Sequence, residues 1–178
     1  GSIVLNARLL CDILRRLPSQ SVTISSDNHN LCKITSGEAE FSLVGIPADD
    51  YPELPTVSGG IPFAIKQGIL KNMVKQTIFA VAVQDIKPVH KGIKFEVENN
   101  NLRLISCDGF RLAIRQEKVN INETMNFIMS GKALSEAMKI ISKEDEEISI
   151  FVGRRHIAFE IEGYSFISRL LDGEFIDY

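Results

Sequence analysis

Hydrophobic positions recur with a helical period in three segments of the chain. Apolar residues in these segments follow the i, i+3, i+4, i+7 spacing that places them on one face of an amphipathic helix. The spacing predicts helices from Ala7 to about Leu17, from about Lys66 to Gln76, and from Lys132 to Ser142. Asn6 and Ser130 precede two of these helices as favourable N-cap residues, and Pro18 is expected to end the first helix.

Between the helices, short segments alternate apolar and polar residues and are bounded by turn residues. Ile93, Phe95 and Val97 alternate with Lys94 and Glu96, which is typical of a half-buried strand. The predicted strands are Val22–Ser25, Leu31–Thr35, Ala39–Val44, Gly92–Val97, Leu102–Cys107, Phe110–Gln116, Glu147–Val152, His156–Ile161 and Ser165–Leu170. Because runs of strands follow a helix, we predict the α+β class, with repeated units of helix plus antiparallel sheet.

Two parts of the sequence match each other as repeats. Val4–Leu10 resembles Ile128–Leu134, and the closing segment Ala48–Pro52 resembles Asp172–Ile176. Any two units of helix plus hairpin look somewhat alike, but the matching closing segments favour a true repeat. We therefore expect residues 3–56 to be the second half of one unit, 57–60 to be a linker, and 61–178 to be a complete second unit. Residues 1–2, Gly-Ser, look like the remnant of a cleaved tag.

Composition places the chain among ordinary globular proteins. It has 178 residues, of which 44% are hydrophobic and 24% are charged. No apolar run approaches the roughly 20 residues of a membrane-spanning helix, so no membrane partner is expected. The three cysteines lie far apart, in no paired-ligand spacing, which favours a reducing, cytoplasmic location.

The formal net charge of −3 hides a marked asymmetry along the chain. The predicted helices are basic, and no Asp or Glu occurs between Glu53 and Asp85. The basic residues assigned to these helix faces and to the end of the third helix are Arg8, Arg15, Arg16, Lys71, Lys75, Lys132, Lys139 and Lys143. Basic faces without a base-reading motif favour phosphate contacts to duplex DNA without sequence specificity. Simple solvated helix faces remain the alternative interpretation.

The sequence contains no recognisable catalytic motif. His29, His90 and His156 are isolated, and each is more typical of a turn or surface residue than of a ligand. Cys107-Asp108 is the nearest approach to a reactive pair, but Asp-Gly between two apolar segments is first of all a hairpin turn. The acidic stretches Asp49-Asp50 and Glu144–Glu147 are most simply solvated loops. We therefore expect no enzyme, no catalytic residue, no metal and no cofactor.

Three motifs resemble those of a known family. Leu104–Ala113 resembles the Thr-Asp-Gly-(His/Phe/Tyr)-Arg-Leu-Ala signature of the bacterial β sliding clamps of replicative DNA polymerase. Phe41–Pro52 and Ser168–Tyr178 resemble the ends of that family's first and second domains. The resemblance implies a DNA-clamp fold, with the second half of domain one and all of domain two present here. In the family, three such domains per chain and two chains close a ring around duplex DNA.

The resemblance also implies a function. The expected role is a DNA polymerase processivity factor that encircles duplex DNA and tethers the polymerase III catalytic subunit. The polymerase, the clamp loader, repair polymerases and ligase-type partners would all bind one pocket of the clamp through short linear peptides. The basic helices would face the DNA together with the loop at Gln84-Asp85. A protein-interaction module that is built from the same repeat but does not bind DNA remains the alternative.

Two further sites follow from the resemblance alone. The implied peptide pocket comprises His90, Cys107, Gly109, Phe110, Arg111, Leu112 and Ile176. Three of these, His90, Cys107 and Ile176, replace the more usual Leu, Thr and Pro of the family. Phe41 and Leu43 match the strand that forms the subunit edge, so a homodimer is expected of the full-length protein.

Overall fold

A short helix followed by three antiparallel strands recurs three times along the chain. The computed structural model describes residues 1–18, 21–53, 55–57, 59–84 and 87–178. The chain divides into two compact units, residues 1–54 and residues 55–178. The expected linker at 57–60 includes Ser58, and the expected DNA-contacting loop includes Asp85; both residues lie outside the described part.

The first unit contains one helix and a three-stranded sheet. Its elements are α1 (Ala7–Leu14), β1 (Thr23–Ser26), β2 (Leu31–Ser36) and β3 (Ala39–Val44). The strands lie in the order β1-β2-β3 and are antiparallel. Ile13 of α1 packs on Cys32 and Ile34 of β2, and these three residues form the buried core of the unit.

Helix α1 begins as predicted and ends three residues early. The Asn6 Oδ1 accepts a hydrogen bond from the Leu9 backbone N–H at 3.1 Å, which caps the first turn. At the other end, the Arg16 N–H donates to the Ile13 carbonyl, a tighter turn than the α-helical one. Pro18 disfavours helical geometry at Leu17, so the helix ends before it reaches the proline.

The second unit is an eight-stranded sheet covered by two helices. Its first half is β4 (Ile61–Lys66), α2 (Gln67–Lys75), β5 (Gly92–Glu98), β6 (Asn101–Cys107) and β7 (Leu112–Lys118). Its second half is β8 (Met125–Ser130), α3 (Gly131–Ile140), β9 (Glu147–Val152), β10 (His156–Ile161) and β11 (Tyr164–Leu171). Short 3₁₀ turns at Ala48–Asp50, Ile78–Ala80 and Pro88–Lys91 complete the described elements.

All neighbouring strands of the large sheet are antiparallel, in the order β4-β9-β10-β11-β8-β5-β6-β7. Strands β11 and β8 pair only at Leu170–Met129 and Leu171–Ile128, whereas the other pairs have longer registers. The sheet therefore consists of two four-stranded halves joined by a short seam. Apolar residues of α2 and α3 pack with those of the strands in a single core, so both helices cover one face and leave the other face free of helix.

The α+β fold class and the repeat are confirmed by this architecture. Val4 bridges Ile46 in the first unit, as Ile128 pairs with Leu171 in the second. Strands β4 and β8 were not predicted. Each runs directly into the helix after it, so the second unit itself contains two copies of the same strand–helix–three-strand element. No helix among the described residues is long and apolar enough to cross a membrane.

Candidate functional site

Four of the predicted basic residues are exposed and free of partners. Arg8 and Arg16 lie on or beside α1, Lys75 lies on α2, and Lys132 lies in the first turn of α3. Within the described residues, none of these four side chains forms an ion pair or hydrogen bond. Lys75 and Lys132 belong to helices that pack their apolar sides on the sheet, so their charges are available to solvent or to an anionic ligand.

The other predicted basic residues of the helices have protein partners. Arg15 lies 3.6 Å from Asp12, and Lys139 donates to Glu136 at 2.8 Å. Lys143 pairs with Glu146 at 3.1 Å, and the hydrogen bond and charge of that carboxylate raise the pKa of Lys143. These pairs offset part of the positive charge that the sequence places on the helices. The basic surface is therefore weaker than the residue count implies.

Lys71 has a hydrogen-bond partner within the protein. Its Nζ donates to the Ile141 carbonyl at 3.3 Å, at the C-terminal end of α3. A cation at that position satisfies a carbonyl that the helix leaves unpaired and interacts favourably with the helix dipole. Lys71 thus joins α2 to α3. Gln84 is exposed, in the loop between α2 and β5.

The turn between β6 and β7 is organised by one carboxylate. Asp108 Oδ1 accepts from the backbone N–H groups of Phe110 at 3.0 Å and Arg111 at 2.8 Å. Asp108 Oδ2 accepts from the Arg111 side chain, at 3.0 Å from Nε and 2.6 Å from Nη2. The Arg111 side chain first, and then the backbone donors, lower the pKa of Asp108 to about 2. The structure therefore assigns Asp108 to the turn, in agreement with the hairpin interpretation.

This turn presents apolar side chains to solvent. Phe110 is 98% exposed and Leu112 is 47% exposed, whereas Cys107 is buried. Gly109 occupies the turn with φ +88°, a conformation that a residue with a Cβ adopts only with strain. Cys107 and Leu112 are register partners, and their strand positions place both on the helix-free face of the sheet.

The remaining predicted pocket residues lie at the same end of the sheet. His90 immediately precedes β5, which pairs with β6 from Lys94–Ile105 onward. Its ring meets the Phe175 ring edge-on, with centroids 6.5 Å apart, and Ile176 follows directly in the chain. The structure thus places His90 against Phe175, the chain neighbour of Ile176, at the end of the sheet that carries the 108–111 turn.

Residues 172–178 pack on the helix-free face, which sequence reasoning missed. The Lys94 amine lies 5.9 Å from the Phe175 ring centroid and 5.6 Å from that of Tyr178. The Tyr178 hydroxyl donates to Glu96 at 2.6 Å. Burial raises the pKa of Glu96, but hydrogen bonds from Lys94 and Tyr178 outweigh that effect and hold it below its usual value. No local pattern signals these contacts, because they join residues far apart in the sequence.

The predicted subunit edge falls on an edge strand. Strand β3 is the last in its sheet, and Phe41 and Leu43 pair with Ile34 and Cys32 of β2. Both side chains lie on the core side of the sheet; Phe41 is 38% exposed and Leu43 packs against the core. The groups open for pairing at this edge are the backbone N–H and C=O groups of β3.

Two family models match the chain. The central domain of the DNA polymerase III beta subunit matches residues 64–177, and the N-terminal domain of the same subunit matches residues 1–55. The central-domain match alone covers more than half of the sequence. The chain therefore belongs to the DNA polymerase III beta subunit family.

Individual relatives agree with this assignment. The beta sliding clamps of Bacillus subtilis and Staphylococcus epidermidis are 38% and 39% identical to the chain, over 99% of its length and 47% of theirs. The crystal structure of the Bacillus subtilis DNA polymerase sliding clamp superimposes with a TM-score of 0.90 at 37% identity, covering 99% of this chain and 47% of that one. The Pseudomonas aeruginosa subunit gives 0.90 at 31%, covering 100% and 50%. The chain thus spans about half the length of the relatives it matches.

Proposed function

We propose that this chain is part of a sliding clamp, a non-catalytic DNA polymerase processivity factor that encircles duplex DNA. The observation that carries the proposal is its membership of the DNA polymerase III beta subunit family along nearly the whole chain. The unpaired basic residues on the helices support it, because a clamp needs cationic groups that meet phosphates without reading bases.

The helix side of the second unit is the proposed DNA-facing surface. Lys75 and Lys132 are exposed there and have no partner among the described residues. Lys139 and Lys143 are engaged by Glu136 and Glu146, so they would contribute less. A few weak phosphate contacts of this kind are suited to a protein that must slide rather than stop.

The helix-free face supports the second part of the proposal, a pocket for short linear peptides. Leu112 and Phe110 offer exposed apolar surface, and Ile176, which follows the His90 contact Phe175 in the chain, is also exposed. Arg111 is held by Asp108, so its side chain is positioned before any partner arrives. An extended peptide with Leu and Phe side chains fits such a surface. Its partners would be the polymerase catalytic subunit, the clamp loader and repair proteins.

Retention on circular DNA tests the clamp function. The full-length protein that contains this chain is loaded on nicked circular DNA, and its half-life on the circle is compared before and after linearisation. We expect long retention on the circle and rapid loss from linear DNA. Equal loss from both would rule out a closed ring and favour a protein-interaction module that does not encircle DNA.

Charge reversal then tests the helix surface. Lys75→Glu combined with Lys132→Glu is expected to shorten the half-life on circles about two- to tenfold and to reduce its salt dependence, because phosphate contacts are lost. Lys118→Glu on β7 is the matched control for Lys75→Glu and Lys132→Glu made singly, since it also reverses one charge, at an exposed site away from the helices. Equal effects of the helix and β7 changes would show that only net charge matters.

A further inference from the structure

Three arginines line one cavity on the second unit. Arg154 and Arg155 form the turn between β9 and β10, and Arg169 lies in β11 as the register partner of His156. These residues, with Leu170, Leu171 and Asp172, line a cavity of about 340 Å³. Three arginines thus border one concave surface that belongs neither to the proposed DNA-facing surface nor to the candidate peptide pocket.

The arginine side chains have no partner in the part of the chain that the structure describes. All three are exposed, and in the described ranges none of them forms an ion pair or hydrogen bond. The other three arginines of this unit behave differently: Arg103 pairs with Glu96, Arg111 with Asp108, and Arg115 with Glu117. A cluster of unpaired guanidinium groups is suited to carboxylates or phosphates, which it can bind with paired hydrogen bonds.

A second cavity continues from the arginine cluster toward the candidate peptide pocket. This cavity of about 260 Å³ shares Arg154 and Asp172 with the first, and Ile128, Leu171 and Phe175 form its apolar wall. Phe175 also contacts His90 and precedes Ile176, both residues of the candidate pocket. The surface is therefore continuous: an apolar pocket, an apolar groove, and then the arginine cluster.

Strand register supplies the distance along this surface. Ile114 pairs with Ile105, Ile105 with Lys94, Lys94 with Ile128, and Ile128 with Leu171. These five residues form one row across β7, β6, β5, β8 and β11 on the helix-free face, and Arg169 lies two residues from Leu171 on that face. Four strand spacings amount to about 19 Å, which an extended peptide crosses in about six residues.

We propose that Arg154, Arg155 and Arg169 bind acidic residues that flank the linear peptide held in the candidate pocket. The inference rests on the proposed function, because it takes the pocket as the anchor of the partner. A partner peptide would place its Leu and Phe side chains in the pocket and its Asp or Glu residues, about six positions away, on the arginines. The arginine cluster then selects among partners by the charge of their flanking sequence.

A protein segment fits this surface better than a nucleic acid does. The groove that leads to the arginines is bordered by Ile128, Leu171 and Phe175, which offer apolar contacts to side chains. Asp172 borders both cavities and Glu174 lies beside them in the chain, so a continuous phosphate backbone would meet negative charge on its path. Separate carboxylates on a peptide can avoid these positions.

Fluorescence polarisation with matched peptides tests the proposal on the full-length protein. The reference probe is a short peptide with a Leu-and-Phe core. In the other probes this core is extended by six residues at its N-terminal or its C-terminal end. The extension is either acidic, made of Glu and Asp, or neutral, made of Ser and Gly. At low salt we expect the acidic extension at one end to tighten binding about five- to twentyfold over the neutral extension. The gain should fall below about twofold at high salt, because exposed charge pairs are screened.

The variants separate this inference from the proposed function. Arg154→Ala with Arg155→Ala and Arg169→Ala should abolish the gain from the acidic extension and leave the affinity of the core peptide unchanged; Lys118→Ala is the matched control. If the triple variant misfolds, the single change Arg155→Gln still reduces the gain. Binding of the core without any acidic preference overturns the inference alone, whereas no binding of the core overturns the peptide pocket. Equal competition by a short oligonucleotide and by the acidic extension would assign the arginines to nucleic acid and also overturn the inference.

Discussion

Asp108 holds the 108–111 turn and the Arg111 side chain in place at the candidate pocket. Its carboxylate accepts two backbone N–H groups of the 108–111 turn and two hydrogen bonds from the Arg111 side chain. These donors favour the ionised form, so its pKa falls from 3.8 to about 2. The same contacts fix Arg111 at the edge of the exposed apolar surface formed by Phe110 and Leu112.

The turn should respond to pH at this residue. Because its folded pKa is depressed, Asp108 stabilises the turn fully above pH about 4, and this contribution is lost as the pH falls toward 2. NMR titration of the Asp108 carboxyl should show a midpoint near 2. Arg111→Gln should raise that midpoint toward 3.8, because it removes the largest cause of the shift. The backbone donors remain, so the midpoint should not reach 3.8; an unchanged midpoint would contradict the assignment.

At the scale of single residues, the sequence predicts those features that depend on contacts between neighbours along the chain. The Asp-Gly turn and the apolar residues around it were predictable, because neighbours along the chain form that turn. The contact of His90 with Phe175 and the cavity lined by Arg154 and Arg169 were not, since each joins residues that only the sheet brings together. The adjacent pair Arg154-Arg155 between two predicted strands was the one available signal.

Helices α2 and α3 are joined by a hydrogen bond from Lys71, which the sequence presents only as one of several basic residues on α2. Lys71 was predicted to contact DNA, but its amine hydrogen-bonds the Ile141 carbonyl at the end of α3. Lys75, one turn further along α2, is exposed and unpaired within the described residues. The two lysines therefore have different roles, although the sequence presents them as equivalent.

Neutral substitutions should separate these roles. Lys71→Met is expected to lower the free energy of unfolding by about 1 kcal/mol, because it removes a charged hydrogen bond to the helix terminus. Lys75→Met should change it by less than about 0.5 kcal/mol, as an exposed substitution without partners does. Urea unfolding measures both. A loss of stability for Lys75→Met as large as that for Lys71→Met would refute the bridging role of Lys71.

Strands β4 and β8 were not predicted, and each shows a limit of predicting strands from the alternation of apolar and polar residues. Strand β4 contains Pro62, which usually argues against a strand, yet β4 lies at the sheet edge where a missing N–H is tolerated. In β8, Phe127, Ile128 and Met129 are buried in succession, so the strand lacks the alternation of a half-buried one. The nine predicted strands lie within about two residues of the observed bounds.

The two units of the molecule differ greatly in the core that holds each together. Three buried residues, Ile13, Cys32 and Ile34, form the core of residues 1–54. Residues 55–178 bury a continuous core that includes Leu70, Phe95, Leu104, Met129 and Phe159, among many others. Burial of apolar surface is the main stabilising contribution to folding, so the first unit should be much less stable than the second in this chain.

Hydrogen exchange of the chain should therefore resolve two levels of stability. Amides of β2, such as that of Ile34, should exchange through an opening of lower free energy than amides of β5 and β6, such as those of Phe95 and Leu104. Ile34→Ala removes a fully buried side chain, which costs about 2–5 kcal/mol, and it should abolish protection in β2 while protection in β5 and β6 persists. Ile24→Ala in β1 is the control, because that side chain is 51% exposed and its loss should leave both levels in place. If Ile34→Ala removed protection throughout the chain, the two units would have to unfold as one cooperative body.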